Sequence, residues 1–494
     1  MRISVELFVA MVLMAIALGT GRTKRGSRDN SASFARRRVL QQLSRRAIGA
    51  AGLDLGRVAS ARWRKTHQEV VSPSRQSMLI LGPTQSGKTS SLVIPALLRW
   101  EGPVVAASVK NDLVQATAAH RRSVGLVGVF DPNFAAPELA IGFDPVLLSQ
   151  TWSDARRVAS SLLGSSSSEG NTNEIEFWNQ LGGKFVAPLF LAAAREGHSF
   201  ATVCEWIDHR NEEEPLAMLT RNGQRAAADA LLASLDRDER QRSSIYATVE
   251  AALDPLRIEG IAPRRFIDPR EILRNGETLY LCAPAHDQHR YRSAFSAVTN
   301  EILHAAFSLA REQGGTLRRP LLVVLDEAAA IAPLRELDVI AATCASHGIT
   351  LVTCFQDLAQ IRARYGERWA TVVNNHRTRV FLSGLADPNI DGLLSALSGN
   401  AVTDQRELNS APKQGFKAPS YRPLIESSHL RAMPEHRGIV ICGRLPPFRL
   451  ALIPWWDRKE LALRGPARIA GYARFRDQVR RLGSALGHRS DTAV

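Results

Sequence analysis

The chain has 494 residues, 45% apolar and 22% charged, with 63 Lys and Arg against 48 Asp and Glu for a formal net charge of +15. That length and apolar content fit a folded protein of two or three domains, and the charge suits a polyanionic partner, nucleic acid or an anionic membrane surface, with a spread of solvated arginines as the equal alternative. Cys204, Cys282, Cys344, Cys354 and Cys442 are odd in number and form no Cys-x-x-Cys pair, which argues against a disulfide framework or zinc site and suits a reducing compartment.

Residues 3–20 are mostly apolar, without interruption over 7–18, and Arg22, Lys24, Arg25 and Arg28 follow. One short membrane helix (1–25) with positive charge on its C-terminal side predicts a body on the cytoplasmic side of the cell membrane. A signal peptide is the rival, given Gly19 and Gly21; it is opposed by the basic cluster, which follows the apolar core and leaves only Arg2 before it. Residues 26–65 read as a basic linker, polar at 27–33 and helical from about 34.

A nucleotide-binding domain begins near residue 66. The apolar run at 77–81 suits a buried strand, and Gly82-Pro83-Thr84-Gln85-Ser86-Gly87-Lys88-Thr89 fits the pattern of Gly, four residues, then Gly-Lys-Ser/Thr. An apolar-periodic helix follows through Leu92, Val93, Ala96 and Leu97. Gly82 and Gly87 allow the backbone to turn tightly and approach phosphate. Successive N–H groups and a helix N-terminus then face one anion. Lys88 is expected to reach the β- and γ-phosphates, and the Thr89 hydroxyl to ligate Mg²⁺. Residues 103–108 and 124–130 read as further strands, and the strand–helix alternation predicts a mainly parallel α/β sheet covered on both faces.

From 153 to 265 the periodicity is helical. Phe177, Trp178, Leu181, Phe185, Leu189 and Phe190 form a stripe that reads as helix core, so this block is an all-α insertion. The nucleotide domain resumes over 266–456. Residues 278–282 are a strand, and 321–325 are another, ending at Asp326-Glu327. Asp326 is expected to hold Mg²⁺ through water, and Glu327 to polarise the attacking water. The strand 349–355 ends at Gln356, placed to sense the terminal phosphate. Strand 379–383 follows, with Arg377 or Arg379 as a candidate arginine finger. Residues 398–422 read as a long loop, 438–442 as a last strand, 445–448 as a turn, and 457–494 as a basic helical tail.

In these motifs the chain resembles the coupling proteins of type IV secretion systems, the conjugative DNA-transfer ATPases. The resemblance rests on Gly82-Pro-Thr-Gln-Ser-Gly-Lys-Thr89, Phe177-Trp178, Arg242-Ser-Ser-Ile-Tyr246, Leu325-Asp-Glu-Ala328, Ser346-His-Gly-Ile349, Gln356 and Tyr365-Gly366, in that order over roughly 75–455. It implies a RecA-like P-loop NTPase with an inserted all-α domain and an N-terminal anchor, assembled as a homo-hexamer. It also implies ATP and Mg²⁺ as ligands, and delivery of single-stranded DNA with its relaxase, or of effector proteins, to secretion-channel components at the membrane. Carried over, Lys88 and Thr89 bind ATP–Mg²⁺, Asp326 and Glu327 coordinate and catalyse, and Gln356 is the sensor. The family commonly carries two membrane helices, whereas one short span is read here. Two other readings share these residues: a DNA pump for segregation or end-processing, which the large helical insertion disfavours, and a non-hydrolysing substrate receptor whose helical block carries recognition.

Overall fold

A computed structural model describes residues 32–131, 137–164, 172–257, 263–283, 287–403, 420–466, 469 and 471. The expected membrane helix, most of the polar linker and the tail arginines beyond Arg464 lie outside the described residues. Among the described residues, no helix is long and apolar enough to cross a membrane.

The strands are β1 (Asp54–Ala59), β2 (Lys65–Val71), β3 (Met78–Leu81), β4 (Val104–Ser108), β5 (Val127–Phe130), β6 (Thr278–Cys282), β7 (Leu321–Leu325), β8 (Ile349–Phe355), β9 (Thr378–Leu382), β10 (Asn400–Thr403), β11 (Ser420–Pro423), β12 (Arg437–Cys442) and β13 (Phe448–Ala451). Eleven of them form one sheet in the order β2-β1-β13-β12-β9-β3-β8-β7-β4-β6-β5. From β9 to β5 every pairing is parallel, and from β9 outward through β12, β13, β1 and β2 it is antiparallel. The parallel strands are the apolar runs, because helices cover them on both sides. Alternate residues serve opposite cores: Leu79, Leu81, Val323 and Leu325 pack in one cluster, Met78, Ile80, Leu322 and Val324 in the other. Each such side chain, almost fully withdrawn from water, stabilises the fold by about 1.5–3 kcal/mol.

Between β5 and β6 the chain is helical, with helices Trp152–Leu163, Thr172–Glu196, Phe200–Asp208, Glu213–Arg221, Arg225–Leu235 and Glu239–Leu253. Thr151 and Asp238 cap two of them by accepting from the amides of Asp154 and Gln241. The aromatic stripe is core as expected, with Leu181, Phe185, Leu189 and Phe190 buried, but Phe177 at its start is half exposed. Gly182 lets the first two helices touch: a Cβ there would meet Leu163 Cδ2 at 2.5 Å.

Three expectations are corrected. The basic stretch from 34 to 65 holds only the short helical turns Val39–Leu43 and Arg45–Ile48, and then forms β1 and the start of β2. These lie at the antiparallel edge, where Arg57 pairs with Glu69 across the strands at 2.9 Å. The 398–422 loop opens and closes on the β10–β11 hairpin, with 404–419 outside the described residues. The turn at 445–448 leads straight into β13, which pairs with both β12 and β1.

The helix after β3 is tied to β1 and to the segment after β13. Its first turn, Thr89–Val93, is a π-helix, and Ile94–Arg99 continues as α-helix. Pro95 has no N–H to return to the Ser91 carbonyl four residues earlier. Arg458 donates to that carbonyl instead, at 3.2 Å. The same guanidinium pairs with buried Asp54 at 2.7 Å, and Asp54 also pairs with Arg99 at 2.6 Å and with Arg45. Burial opposes the charge on Asp54, but Arg458, Arg99 and Arg45 together hold its carboxyl below the ordinary value.

Candidate functional site

The 82–89 loop is built by close approach. β3 is buried between β8 and β9, and the Gly82 amide continues the ladder by donating to Phe355 O at 3.1 Å. A Cβ on Gly82 would meet Leu382 Cβ at 2.7 Å and Ser86 Oγ at 2.8 Å, so no larger residue fits. Gln85 (φ 64°) and Gly87 (φ 92°) take left-handed backbone, which turns successive amides toward one side of the loop. Lys88 is buried, and its Nζ donates to the carbonyls of Gly82 at 2.5 Å and Pro83 at 3.0 Å.

The acidic pair sits opposite. β8 lies between β3 and β7, and its tip is bonded to both neighbours: Phe355 O accepts from Gly82, and Cys354 O accepts from Ala328 N at 2.9 Å. This spacing brings Asp326 to the foot of the loop. Thr89 Oγ1 donates to Asp326 Oδ2 at 2.8 Å, while Asp326 Oδ1 is buried with no hydrogen-bond partner. Burial pushes the Asp326 carboxyl up to about 6, against the Thr89 hydrogen bond and the charge of Lys88, with Asp112 and Glu327 adding repulsion. Glu327 is half-buried with φ 71°, an unusual backbone for a side-chain-bearing residue, and it is the second residue past the end of β7.

Residues 84–89, Asp326 and Glu327 line one cavity of about 520 Å³. Its remaining walls were not anticipated from the sequence: Lys110, Asp112 and Gln115 after β4, and His436, Trp455 and Trp456 from the C-terminal part. Because β4 pairs in parallel with β7, residues just past Ser108 fall on the same sheet edge as Asp326. The rule that ligands bind at the C-terminal ends of parallel strands could have flagged Lys110 and Asp112. Burial raises the Asp112 carboxyl, partly offset by Lys110. His436 reaches the loop itself: a Cβ on Gly87 would lie 3.1 Å from its Nδ1.

Gln356 follows β8 on the same sheet edge and outside the cavity wall, its backbone N–H donating to Gln360 Oε1 at 3.0 Å. The arginine-finger reading of Arg379 is corrected. Its guanidinium is buried and donates to the carbonyls of Val373 at 2.8 Å and Asn374 at 2.9 Å, at the start of β9. Arg377 is exposed just before β9, at the sheet edge opposite the loop.

The site fits a magnesium–nucleotide pair on its own geometry. The glycine cradle leaves room where a Cβ would intrude, the buried lysine is held by its own loop's carbonyls, and the hydroxyl–carboxylate pair carries one unsatisfied buried oxygen.

A mainly parallel sheet, with this loop on one strand and an acidic pair two strands away, defines an α/β protein of the RecA-like class. The family model described as Type IV secretory system Conjugative DNA transfer matches residues 31–475, and the chain belongs to that family. The VirD4 protein of Rhizobium rhizogenes is 22% identical over 404 residues, covering 78% of this chain and 59% of that protein. The conjugal transfer protein TraG of Agrobacterium fabrum is 21% identical over 403 residues, covering 76% and 59%. The chain thus spans about three-fifths of the length of these curated relatives. The structure of the plasmid coupling protein TrwB in complex with ADP and Mg²⁺ shares the fold, with TM-score 0.61 and 17% identity over 82% of this chain and 95% of that one.

Proposed function

We propose that the protein is an ATP-hydrolysing coupling protein. It recruits DNA, single-stranded and carried with a relaxase, or effector proteins, and drives this cargo into a type IV secretion channel. The observation that carries the proposal is the Thr89–Asp326 contact, which places the phosphate-type loop and the acidic pair on one cavity. TrwB's complex with ADP and Mg²⁺ supports the same ligands here.

When bound, ATP supplies the phosphoanhydride to be hydrolysed and Mg²⁺ neutralises its charge. The amides of Thr84, Gln85, Gly87 and Lys88 would hold the phosphates, with Gly82, Pro83 and Ser86 shaping the turn that presents them, and Lys88 would exchange its two carbonyl partners for phosphate oxygens. Thr89 would ligate Mg²⁺, and Asp326 would hold the ion through water with the oxygen that now lacks a partner. Glu327 would take the proton of the attacking water, and Gln356 would report whether the terminal phosphate is present. Assembly as a homo-hexamer at the inner membrane, with the body in the cytoplasm, completes this reading.

ATP hydrolysis by the full chain should rise on adding single-stranded DNA and be abolished in Lys88→Ala. Turnover that ignores DNA and survives Lys88→Ala would remove the proposal.

A further inference from the structure

The cavity around the 82–89 loop has two unlike ends, and strand order separates them. Its carboxylates, Asp112, Asp326 and Glu327, follow β4 and β7, on one side of β3. His436, Trp455 and Trp456 come from the other side: His436 immediately precedes β12, and the two tryptophans follow β13. β12 runs against β9, and β13 against β12, so the start of one and the end of the other both fall on the sheet edge that carries the loop. Among the described residues the lining holds no other carboxylate, and Ile94 and Ile469 add apolar surface to it.

The aromatic end is held in place. His436 takes left-handed backbone, with φ 56°, and its carbonyl accepts from Leu452 N at 2.9 Å and from the Arg437 guanidinium at 3.0 Å. That backbone is uncommon for a residue with a side chain, and it persists only where the surroundings over-determine it. It sets the imidazole against Gly87 of the loop. The indoles of Trp455 and Trp456 meet edge to face, with ring centroids 5.9 Å apart. Arg458 braces the turn that carries them, donating to Ile453 O and to Ser91 O, each at 3.2 Å. Gly465 lies so close to the Trp455 ring that a Cβ there would overlap it. Holding phosphate alone needs none of this aromatic surface.

We infer that His436 and Trp456 are specificity-determining residues of this cavity, receiving the base and ribose of a nucleotide whose phosphates the loop holds. A nucleoside diphosphate or triphosphate has the polarity of the cavity itself, with an anionic, metal-bearing end and a planar aromatic end. Phosphates and metal belong with the loop and the carboxylates on the β7 side. The base belongs at the other end, where it leaves water against aromatic and aliphatic side chains. Contact of a base with an aromatic side chain strengthens binding by about 5–100-fold. The His436 imidazole adds a polar nitrogen suited to a sugar hydroxyl. Neither residue lies in any of the sequence motifs above. The inference rests on the nucleotide reading of the cavity and adds to it the segments before β12 and after β13.

The test is titration calorimetry on the full chain with two ligands, Mg²⁺–ADP and Mg²⁺–pyrophosphate. The second carries two linked phosphates and no nucleoside. His436→Gly removes the imidazole and suits the left-handed backbone. Trp456→Leu keeps an apolar side chain and removes the indole. Each variant should bind ADP more weakly by about fivefold or more and bind pyrophosphate as the wild type does. Retained pyrophosphate affinity also verifies that the loop is folded in each variant. Lys88→Ala, at the phosphate end, should weaken both ligands together. Wild-type ADP affinity in either aromatic variant, or equal losses for ADP and pyrophosphate, would overturn the inference while leaving the phosphate end in place. Failure of the wild type to bind either ligand would overturn the nucleotide reading and the inference with it.

Discussion

Thr89 and Asp326 lie 237 positions apart in the chain, and one hydrogen bond of 2.8 Å joins them. The bond forms because β8 separates β3 from β7 and its tip accepts from Gly82 after β3 and from Ala328 after β7. It leaves the second Asp326 oxygen buried without a partner, a cost the fold bears wherever a ligand does not meet it.

That cost sets the first prediction. The Asp326 carboxyl is raised to about 6, so its charge opposes folding. The penalty is absent below the ordinary carboxylate value and complete above about pH 6. At pH 7.5, Asp326→Asn should therefore stabilise the nucleotide-free protein by about 1–3 kcal/mol, read from urea denaturation, while removing the Mg²⁺ dependence of nucleotide binding. In the wild type, Mg²⁺–nucleotide affinity should strengthen as pH rises through 6, measured by titration calorimetry. A destabilised variant, or a pH-independent affinity, would contradict this.

The arginine cluster around Asp54 makes the second. Asp54→Ala leaves Arg45, Arg99 and Arg458 without their shared carboxylate and should destabilise by about 3–5 kcal/mol. Arg458→Met should also free the Ser91 carbonyl that Pro95 cannot serve. Nucleotide affinity should fall in this variant although Arg458 is outside the cavity wall. Unchanged denaturation midpoints in both variants would show that the cluster is not a structural joint.

Much of this was legible in the sequence, and the division has a physical reason. β6, β7 and β8 begin and end where the apolar runs do, because a strand buried on both faces shows as an unbroken run. Leu321-Leu-Val-Val-Leu325 followed by two acids needed no partner to be recognised. β1 and β13 were missed because charged residues interrupt their apolar ones, Asp54 and Arg57 in β1 and Arg449 in β13, and each makes sense only through the other. Gly56, for example, exists where the Ala451 carbonyl would lie 2.5 Å from any Cβ. A basic stretch such as 34–65 reads as helix when that pairing is invisible. The same holds at the site. The loop and Asp326-Glu327 are local patterns, while Lys110, Asp112, His436 and Trp456 converge only through strand order. Arg379 looked like a free cation in the sequence, and in the fold it serves two carbonyls of the turn before β9.

The third prediction concerns acid. His376 is fully buried, donating from Nδ1 to Val372 O at 2.7 Å and accepting at Nε2 from the Thr353 hydroxyl at 3.0 Å. Burial lowers its titration to about 4. Between the ordinary histidine value and that point the unfolded chain takes up a proton and the native one does not. The contribution of His376 should thus fall as pH drops from about 6.5 to about 4, by up to about 3 kcal/mol, against the opposite contribution of Asp326 over part of that range. His376→Gln, with one donor and one acceptor of its own, should remove that contribution, so that in urea titrations at successive pH values the variant gains stability relative to the wild type as pH falls. An equal slope in both proteins would show that His376 is not the group responsible.

The assignment of hydrolysis to the acidic pair is tested most directly by Glu327→Gln. The amide keeps the size of the side chain and cannot take a proton from water. ATP turnover and ATP affinity are measured on the same preparation. Turnover should fall by about 10²–10⁴-fold with affinity for Mg²⁺–ATP near that of the wild type. Wild-type turnover in Glu327→Gln would contradict a hydrolytic motor built on this cavity.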